Sequence, residues 1–147
     1  MNLLTSYPLS PMQQGMLLQS LHESGVYVQQ LVCEFTEDLN ENSFQQAWQH
    51  VANHHEILRT GFRWQNIPEP IQDVYENVSI PWRTEDWSNL RPQEQQESYS
   101  KFLSADRRSS FEVTAPPLFR LACFKLSERS YRFVWTFHHG LLDRMDT

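Results

Sequence analysis

The sequence predicts an α/β or two-layer α+β fold, in which helices pack on a mixed β-sheet. Segments with apolar residues at helical spacing alternate along the chain with short runs rich in β-branched and aromatic residues. Interleaving of this kind favours a mixed sheet covered by helices. The 147 residues, of which 39% are hydrophobic and 13% aromatic, are enough to bury the core of one domain.

A first helix is predicted where Ser10, a good N-cap, precedes Pro11 at the first helical position. Its inward face is expected to consist of Met12, Met16, Leu17 and Leu21. Gly25 is expected to end this unit, and residues 26–35 predict a strand because they are rich in Val, Tyr and Leu.

A second helix is predicted after Asn40 or Asn42, either of which can cap it. Its apolar residues follow helical spacing at Phe44, Ala47, Trp48 and Val51. Residues 57–64 are expected to form a strand that is broken or bent at Gly61. Two short strand candidates follow, at residues 71–75 and 80–82.

A third helix is predicted from Pro92 to about residue 108, with Tyr99, Phe102 and Leu103 turned inward. Residues 118–126 and 131–138 predict two further strands. The residues between them have the composition and length of a hairpin turn, so these two strands should pair.

Composition excludes several classes of function. The net charge is −6 and the acidic and basic residues are interspersed, so no basic footprint for nucleic acid is present. Cys33 and Cys123 lie in apolar runs and are predicted to be buried free thiols. No apolar run approaches the roughly 20 residues that span a bilayer, and the N-terminus does not resemble a signal peptide. A cytoplasmic protein without a membrane partner is therefore expected.

The strongest chemical signal is the segment FHHGLLD, residues 137–143. Neighbouring strand side chains point to opposite faces, so one of His138 and His139 should pack into the fold while the other faces a cleft. Gly140 would let the backbone turn sharply there. Imidazole, with a pKa of about 6.5, can accept a proton near neutral pH, which suits attack of an amine or alcohol on an activated carbonyl. Taken alone, the pair also fits two structural histidines, whereas a metal site using His139 and Asp143 lacks a third ligand.

Two further segments stand out. In NHHEILRTGF, residues 53–62, Arg59 lies between apolar neighbours. If it is partly buried it would need a carboxylate partner, for which Asp143 is a candidate. The segment LSPMQQGML, residues 9–17, is by itself a capped amphipathic helix start.

Together and in this order, the three segments resemble the condensation domains of non-ribosomal peptide synthetases. Residues 10–17 look like the first core motif of that family. Residues 55–62 resemble the second, RHExLRTxF, with His54 in place of its first Arg, and residues 137–143 resemble the third, HHxxxDG. The segment DRRSSFEVTAPPLFRL, residues 106–121, looks like the family's DRxxxFDLxxAPLxR stretch. The resemblance covers nearly the whole chain.

The resemblance implies the chloramphenicol-acetyltransferase-like fold, in which two similar lobes form a V around an active-site tunnel. Residues 1–147 would be the N-terminal lobe. The activity implied is an acyltransferase reaction, in which the acceptor's α-amine attacks the donor's thioester carbonyl to give an amide. Both substrates arrive on the 4′-phosphopantetheine arms of aminoacyl or peptidyl carrier proteins, which are the implied partners, and no cofactor is expected on the chain itself.

Carried over by position, His139 matches the family's catalytic histidine. The resemblance leaves open whether it acts as a general base, orients the amine or stabilises the tetrahedral intermediate. An α-amine has a pKa of about 8 and a thioester is already activated, so positioning is expected to matter more than proton removal. His138 matches a structural histidine, with Gly140 beside it. Asp143 matches an aspartate that shapes the loop by pairing with an arginine, for which we predict Arg59.

The sequence departs from the family after Asp143. Arg144 replaces the motif's Gly and the chain ends at Thr147, so the second lobe is expected to be absent. Gly-Trp-Ile encoded as GGA TGG ATA becomes Arg-Met-Asp-Thr when a C is added in front and a C follows, because the bases then read CGG ATG GAT AC, which makes a frameshift a hypothesis. Activity would then require a separate second lobe or self-association. The alternative is a catalytically inactive fragment that at most binds a carrier protein or a partner lobe, and a metal-dependent hydrolase using both histidines is a third hypothesis.

Overall fold

The structure is a computed structural model that describes residues 2–22 and 27–140. Its elements alternate along the chain in the mixed order that the sequence predicts. In chain order they are β1 (Leu3–Pro8), α1 (Pro11–His22), β2 (Val28–Phe35), α2 (Glu41–His54), a single 3-10 turn (Glu56–Arg59), β3 (Thr60–Arg63), β4 (Ile71–Tyr75), β5 (Trp82–Asp86), α3 (Pro92–Arg107), β6 (Phe119–Ser127) and β7 (Ser130–His138).

A four-stranded sheet forms the centre of the described fold, with the strand order β2-β7-β6-β5. β5 runs parallel to β6, whereas the β2–β7 and β6–β7 pairs are antiparallel, so the predicted mixed sheet is confirmed. β6 and β7 form the predicted hairpin, with Ser127 opposite Ser130. This hairpin leaves β7 in the middle of the sheet, where it ends at His138.

A second sheet, of three antiparallel strands, has the order β1-β4-β3. β1 was not predicted, because its side chains are largely exposed and show no alternation of apolar and polar residues. The strand predicted from residue 57 begins only at Thr60, since the preceding residues form the 3-10 turn. Gly61 lies within β3 and does not break it.

One helix packs on each face of the four-stranded sheet. On one face, Trp48 of α2 contacts Phe119 and Phe133, with ring centroids 6.0 and 5.7 Å apart. On the other face, Phe102 of α3 contacts Phe124, with ring centroids 4.9 Å apart. Helices on both faces correspond to the α/β alternative of the predicted fold class. The sheet is buried on both sides, which explains why β6 is almost continuously apolar.

Asn40, one of the two caps that the sequence allowed, caps α2, because its Oδ1 accepts a hydrogen bond from the backbone N–H of Ser43 at 3.0 Å. The predicted inward face of α2 is wrong at Ala47 and Val51, which are exposed, whereas Ala52 is fully buried. The inward residues Phe44, Trp48 and Ala52 are therefore four residues apart, and they form one narrow row of the helix that faces the sheet.

The α1 prediction is confirmed at its start and at Met16 and Leu17, which are buried. It is wrong at Met12, which is 57% exposed, while the polar Gln13 is buried. Gly25 and the side chain of Leu21 lie outside the described residues.

The two thiols are free, but only Cys123 is buried. The prediction that Cys33 is buried is wrong, because it lies on β2, the edge strand of its sheet, where a side chain is covered less completely. Burial raises the pKa of the Cys123 thiol to about 11, with a smaller contribution from the charge of Glu41. None of the helices in residues 2–22 and 27–140 has the length and apolarity that a bilayer crossing requires.

Candidate functional site

The end of β7 carries both histidines of the third motif. β7 runs antiparallel to β2, so that Gln29 lies opposite Phe137, two residues before His139. The backbone contact between the two segments continues past the end of β7, because the N–H of His139 donates to the carbonyl of Tyr27 at 2.8 Å. The main chain is therefore held on both sides of His138 as it leaves the sheet.

His138 is enclosed by the fold. Its side chain is 3% exposed, and its Nδ1 accepts a hydrogen bond from the backbone N–H of Gly140 at 3.0 Å. The ring of Phe62, from the second motif, lies 6.3 Å from the imidazole, centroid to centroid. Burial, and to a smaller extent the charge of His139, lowers the pKa of His138 to about 4. Its imidazole is therefore neutral at pH 7, with Nδ1 used as an acceptor inside the protein.

His139 has different surroundings. Its side chain is only partly buried. Its Nδ1 lies 2.6 Å from Nε2 of Gln29, and the ring of Tyr27 stands edge-on to it at a centroid distance of 6.3 Å. In the described part of the chain, its Nε2 has no hydrogen-bond partner. The two adjacent imidazoles are thus held by different groups. The imidazole of His139 is held through Nδ1 by Gln29, and its Nε2 is on the side of the ring away from that contact.

There is little room for a side chain at Gly140. A Cβ at this position would lie 3.0 Å from Nδ1 of His138 and 3.3 Å from Cε2 of Phe62. The chain turns here as expected, because β7 ends at His138 and residue 139 already lies in a turn. Gly140 does not adopt a left-handed φ, so the missing side chain, which leaves room for its N–H to approach Nδ1 of His138, is what the structure shows to matter.

Gln13 is a site residue that the sequence reasoning missed. Its Nε2 donates to the carbonyl of Gly140 at 3.3 Å, and its side chain is 3% exposed. Its Oε1 accepts from the backbone N–H of Ser10 at 3.0 Å, while Ser10 Oγ accepts from the N–H of Gln13 at 3.1 Å. This reciprocal pair is a capping box, and the pattern Ser-x-x-Gln at residues 10–13 was the signal for it. The first motif therefore contacts the third directly.

Arg59 is buried, which is the condition under which the sequence predicted that it would need a partner. Its Nε donates to the carbonyl of Ala52 at 2.9 Å, and its Nη1 donates to the carbonyls of Tyr75 and Glu76 at 2.5 and 3.4 Å. Backbone carbonyls at the end of α2 and β4 therefore satisfy much of the guanidinium. The predicted partner, Asp143, lies outside the described residues, so the pairing stays a prediction.

Asp106 supports the strands that carry the site. Its Oδ1 pairs with Nε of Arg120 at 2.7 Å, and its Oδ2 accepts from Nε2 of Gln30 at 2.7 Å and from the hydroxyl of Thr136. One carboxylate thus connects α3 to β2, β6 and β7. Gln30 is next to Gln29 on β2, and Thr136 is two residues before His138 on β7. This network therefore fixes both strands close to the site.

The described residues, 2–22 and 27–140, contain no group of three or more His, Cys, Asp or Glu side chains that could hold a metal ion. The hypothesis of a metal-dependent hydrolase gains no support from the residues around His138 and His139. Among the described residues, this edge offers an imidazole with a supporting amide, main-chain groups and aromatic rings.

Residues 4–145 match the family model for the condensation domain. The chain belongs to the condensation domain family. This confirms the resemblance that the three motifs indicated.

The curated relatives are synthases of linear gramicidin, bacitracin and similarly named products. The chain is 48% identical over 139 residues to one of the linear gramicidin synthase polypeptides of Brevibacillus parabrevis, with 93% of the chain and 2% of the relative covered. It is 34% identical over 139 residues to bacitracin synthase 3 of Bacillus licheniformis, again covering 93% of the chain and 2% of the relative. The chain thus spans only a small fraction of the length of these much longer relatives.

Solved structures show the same fold. The first condensation domain of the calcium-dependent antibiotic synthetase superposes with a TM-score of 0.80 at 17% identity, covering 92% of this chain and 33% of that one. A four-domain nonribosomal peptide synthetase bound to AMP and glycine superposes with a TM-score of 0.82 at 18% identity, covering 95% of this chain and 10% of that one. The chloramphenicol-acetyltransferase-like fold is therefore confirmed.

Proposed function

We propose that this chain forms the N-terminal lobe of a condensation domain of a non-ribosomal peptide synthetase, and that His139 acts there in amide-bond formation. The family match over residues 4–145 and the peptide synthases among its relatives support this function. The described fold corresponds to about a third of the solved condensation domain, 33% of its length. A second lobe, supplied by a further segment, another chain or a second copy, would provide the opposite wall of the tunnel.

The substrates would be two acyl groups held as thioesters on the 4′-phosphopantetheine arms of carrier proteins. The free α-amine of the acceptor attacks the donor's thioester carbonyl and forms a C–N bond through a tetrahedral intermediate. The C–S bond then breaks and the donor's arm leaves. Its sulfur takes up the proton that the amine loses, so the arm is released as a thiol. The lengthened peptide remains on the acceptor's carrier protein.

The difference between the two imidazoles carries this proposal. His138 is buried, neutral and bonded to Gly140, which suits a structural part of the loop. His139 is partly exposed and is held through Nδ1, which leaves Nε2 to meet a substrate. A group that contacts a reacting amine or carbonyl needs this combination of fixed orientation and one accessible nitrogen.

The test is an amide-formation assay with one carrier protein loaded with a donor aminoacyl group and another loaded with an acceptor. The chain is assayed alone and together with the second lobe of the condensation domain of a relative, and the dipeptidyl product is measured by mass spectrometry. We expect product in the two-lobe mixture and a loss of at least about a hundredfold in rate in His139→Ala. His50→Ala, which removes an exposed imidazole on α2, is the matched control and should retain the rate.

A catalytically inactive fragment that only binds a carrier protein or a partner lobe is the competing function. An inactive fragment would bind the carrier protein or the second lobe, but no dipeptidyl product would form either with the chain alone or with the two-lobe mixture. Equal product from the wild-type chain and His139→Ala would instead contradict the role given to His139. Sedimentation of the chain alone tests self-association as the source of the second lobe.

A further inference from the structure

We propose that Gln29 is a positioning residue that selects the tautomer of His139, with the ring proton on Nε2, so that His139 acts as a hydrogen-bond donor. This inference rests on the proposed function of His139 and decides between the roles that the family resemblance left open. It assigns a role to a residue of β2 that lies outside all three motifs.

The placement of Gln29 follows from the sheet register. Gln29 is opposite Phe137 on the neighbouring strand, so the two side chains lie on the same face of the sheet. Strand side chains alternate, so His139, two residues after Phe137, is expected on that face as well. The amide Nε2 of Gln29 consequently reaches Nδ1 of His139 at 2.6 Å. The N–H of His139, bonded to the Tyr27 carbonyl at 2.8 Å, fixes the main chain from which this ring projects.

The chemistry of an amide determines the tautomer. An amide nitrogen is a donor only and has no lone pair to offer, so the Nδ1 that it contacts must be the acceptor. A neutral imidazole has one N–H and one bare nitrogen, so a bare Nδ1 places the proton on Nε2. The neighbouring Gln30 is not available as a donor to His139. Its amide nitrogen already donates to Oδ2 of Asp106 at 2.7 Å and to the carbonyl of Leu103 at 3.1 Å.

This tautomer changes what His139 can do. A neutral ring that already carries its proton on Nε2 cannot remove a proton from the attacking amine with that nitrogen. It can donate to the thioester oxygen as negative charge develops there in the tetrahedral intermediate, and it stabilises that charge from a fixed position. The amine needs no strong base, because with a pKa of about 8 a substantial fraction is already neutral.

Nitrogen NMR of the chain labelled with 15N-histidine measures the tautomer without reference to activity. The His139 signals are assigned by their loss in His139→Ala, at a pH where the ring is neutral. We expect Nδ1 at the shift of a bare nitrogen and Nε2 at that of a protonated nitrogen. In Gln29→Glu, a carboxylate replaces the amide nitrogen as a neighbour, accepts from Nδ1–H, and should reverse the assignment.

Two more variants separate the effect of the Gln29 hydrogen bond from that of a glutamine-to-leucine change elsewhere. Gln29→Leu removes the hydrogen bond with similar volume and should move both nitrogen signals towards the average of two exchanging tautomers. Gln46→Leu makes the same change at an exposed position of α2 and should leave the His139 signals unchanged. Protonated Nδ1 in the wild-type chain, or identical signals in wild type, Gln29→Glu and Gln29→Leu, would overturn the proposal.

Activity provides a separate readout in the two-lobe amide assay. If the tautomer reverses in Gln29→Glu, the rate should fall by about a hundredfold, as expected for loss of one donor to a developing oxyanion. A reversed tautomer with an unchanged rate would overturn the donor role. If instead His139→Ala is fully active, the proposed function fails, while the NMR result on the tautomer still stands by itself.

Discussion

Gln13 Nε2 donates to the carbonyl of Gly140 at 3.3 Å, although 127 residues separate them in the sequence. The bond links the first turn of α1 to the residue that follows His139. Because Gln13 also closes the capping box with Ser10, the start of this helix and the position of the histidine loop depend on one side chain. The first and third motifs thus act as one structural unit.

Replacing Gln13 should therefore affect both stability and the site. Gln13→Ala removes the capping bond and leaves the Gly140 carbonyl without this donor, so we expect the free energy of unfolding to fall by about 2 kcal/mol. Gln14→Ala, at the exposed neighbouring position, is the control and should stay within about 0.5 kcal/mol of wild type. Urea unfolding measures both values. Equal stability of the two variants would contradict the role of Gln13.

The buried imidazole of His138 should make stability depend on pH. Burial lowers its pKa from 6.5 to about 4, so between these values the unfolded chain binds more protons than the folded chain. The stabilisation is fully present above about pH 6.5 and is lost as the pH falls towards about 4, by up to about 3 kcal/mol. His138→Asn keeps an acceptor for the N–H of Gly140 but does not titrate, so its unfolding free energy should fall less steeply.

Urea unfolding of wild type and His138→Asn between pH 4 and pH 7 checks this expectation, and the difference between the two curves isolates His138 from the carboxylates. His50→Asn, at an exposed imidazole, should follow the wild-type curve. Parallel curves for wild type and His138→Asn would show that His138 has an ordinary pKa in the folded chain.

Gly61 should resist substitution. A Cβ there would lie 2.9 Å from Cδ of Pro116 and 3.1 Å from the carbonyl oxygen of Val113, so Gly61→Ala should destabilise the fold by about 2 kcal/mol through overpacking. Gly15→Ala is the matched control, because no atom lies within 4 Å of its Cβ and the residue is in α1. It should gain about 1 kcal/mol from helix propensity. Thermal unfolding should give opposite shifts in Tm, and shifts of the same sign would contradict this packing.

Asp106 should be sensitive to substitution. Asp106→Ala removes the partner of Arg120, whose side chain is 21% exposed, and breaks the links to Gln30 and Thr136, so we expect a loss of about 3 kcal/mol. Asp38→Ala, at an exposed position, should change the free energy of unfolding by less than about 0.5 kcal/mol. Chemical unfolding compares the two, and a small effect of Asp106→Ala would show that the network is dispensable.

Local signals were enough to predict most elements. The Asn40 cap, the Pro92 helix start and the β6–β7 hairpin depend on neighbouring residues, and the structure confirms each of them. β1 could not be predicted, because it is an exposed edge strand that exists through its pairing with β4. Exposure of Cys33 likewise depends on strand order, which local periodicity does not contain.

The candidate site was predicted only in part. The motif order identified His138 and His139, but neither of their supporting glutamines, because Gln13 and Gln29 reach the site through helix placement and strand register. The need for Gly140 was anticipated, while its cause, the close approach to His138, depends on three-dimensional packing. Asp143 and its predicted pairing with Arg59 lie beyond the described residues.

The most direct test of the division between the two histidines is the rate of amide formation by the chain combined with a second lobe and loaded carrier proteins. We predict that His139→Ala lowers this rate by at least about a hundredfold while its unfolding free energy remains close to that of wild type. His138→Asn should instead retain measurable activity and show its main effect on stability. Full activity in His139→Ala, or a dead but fully stable His138→Asn, would contradict the assignment of catalysis to His139.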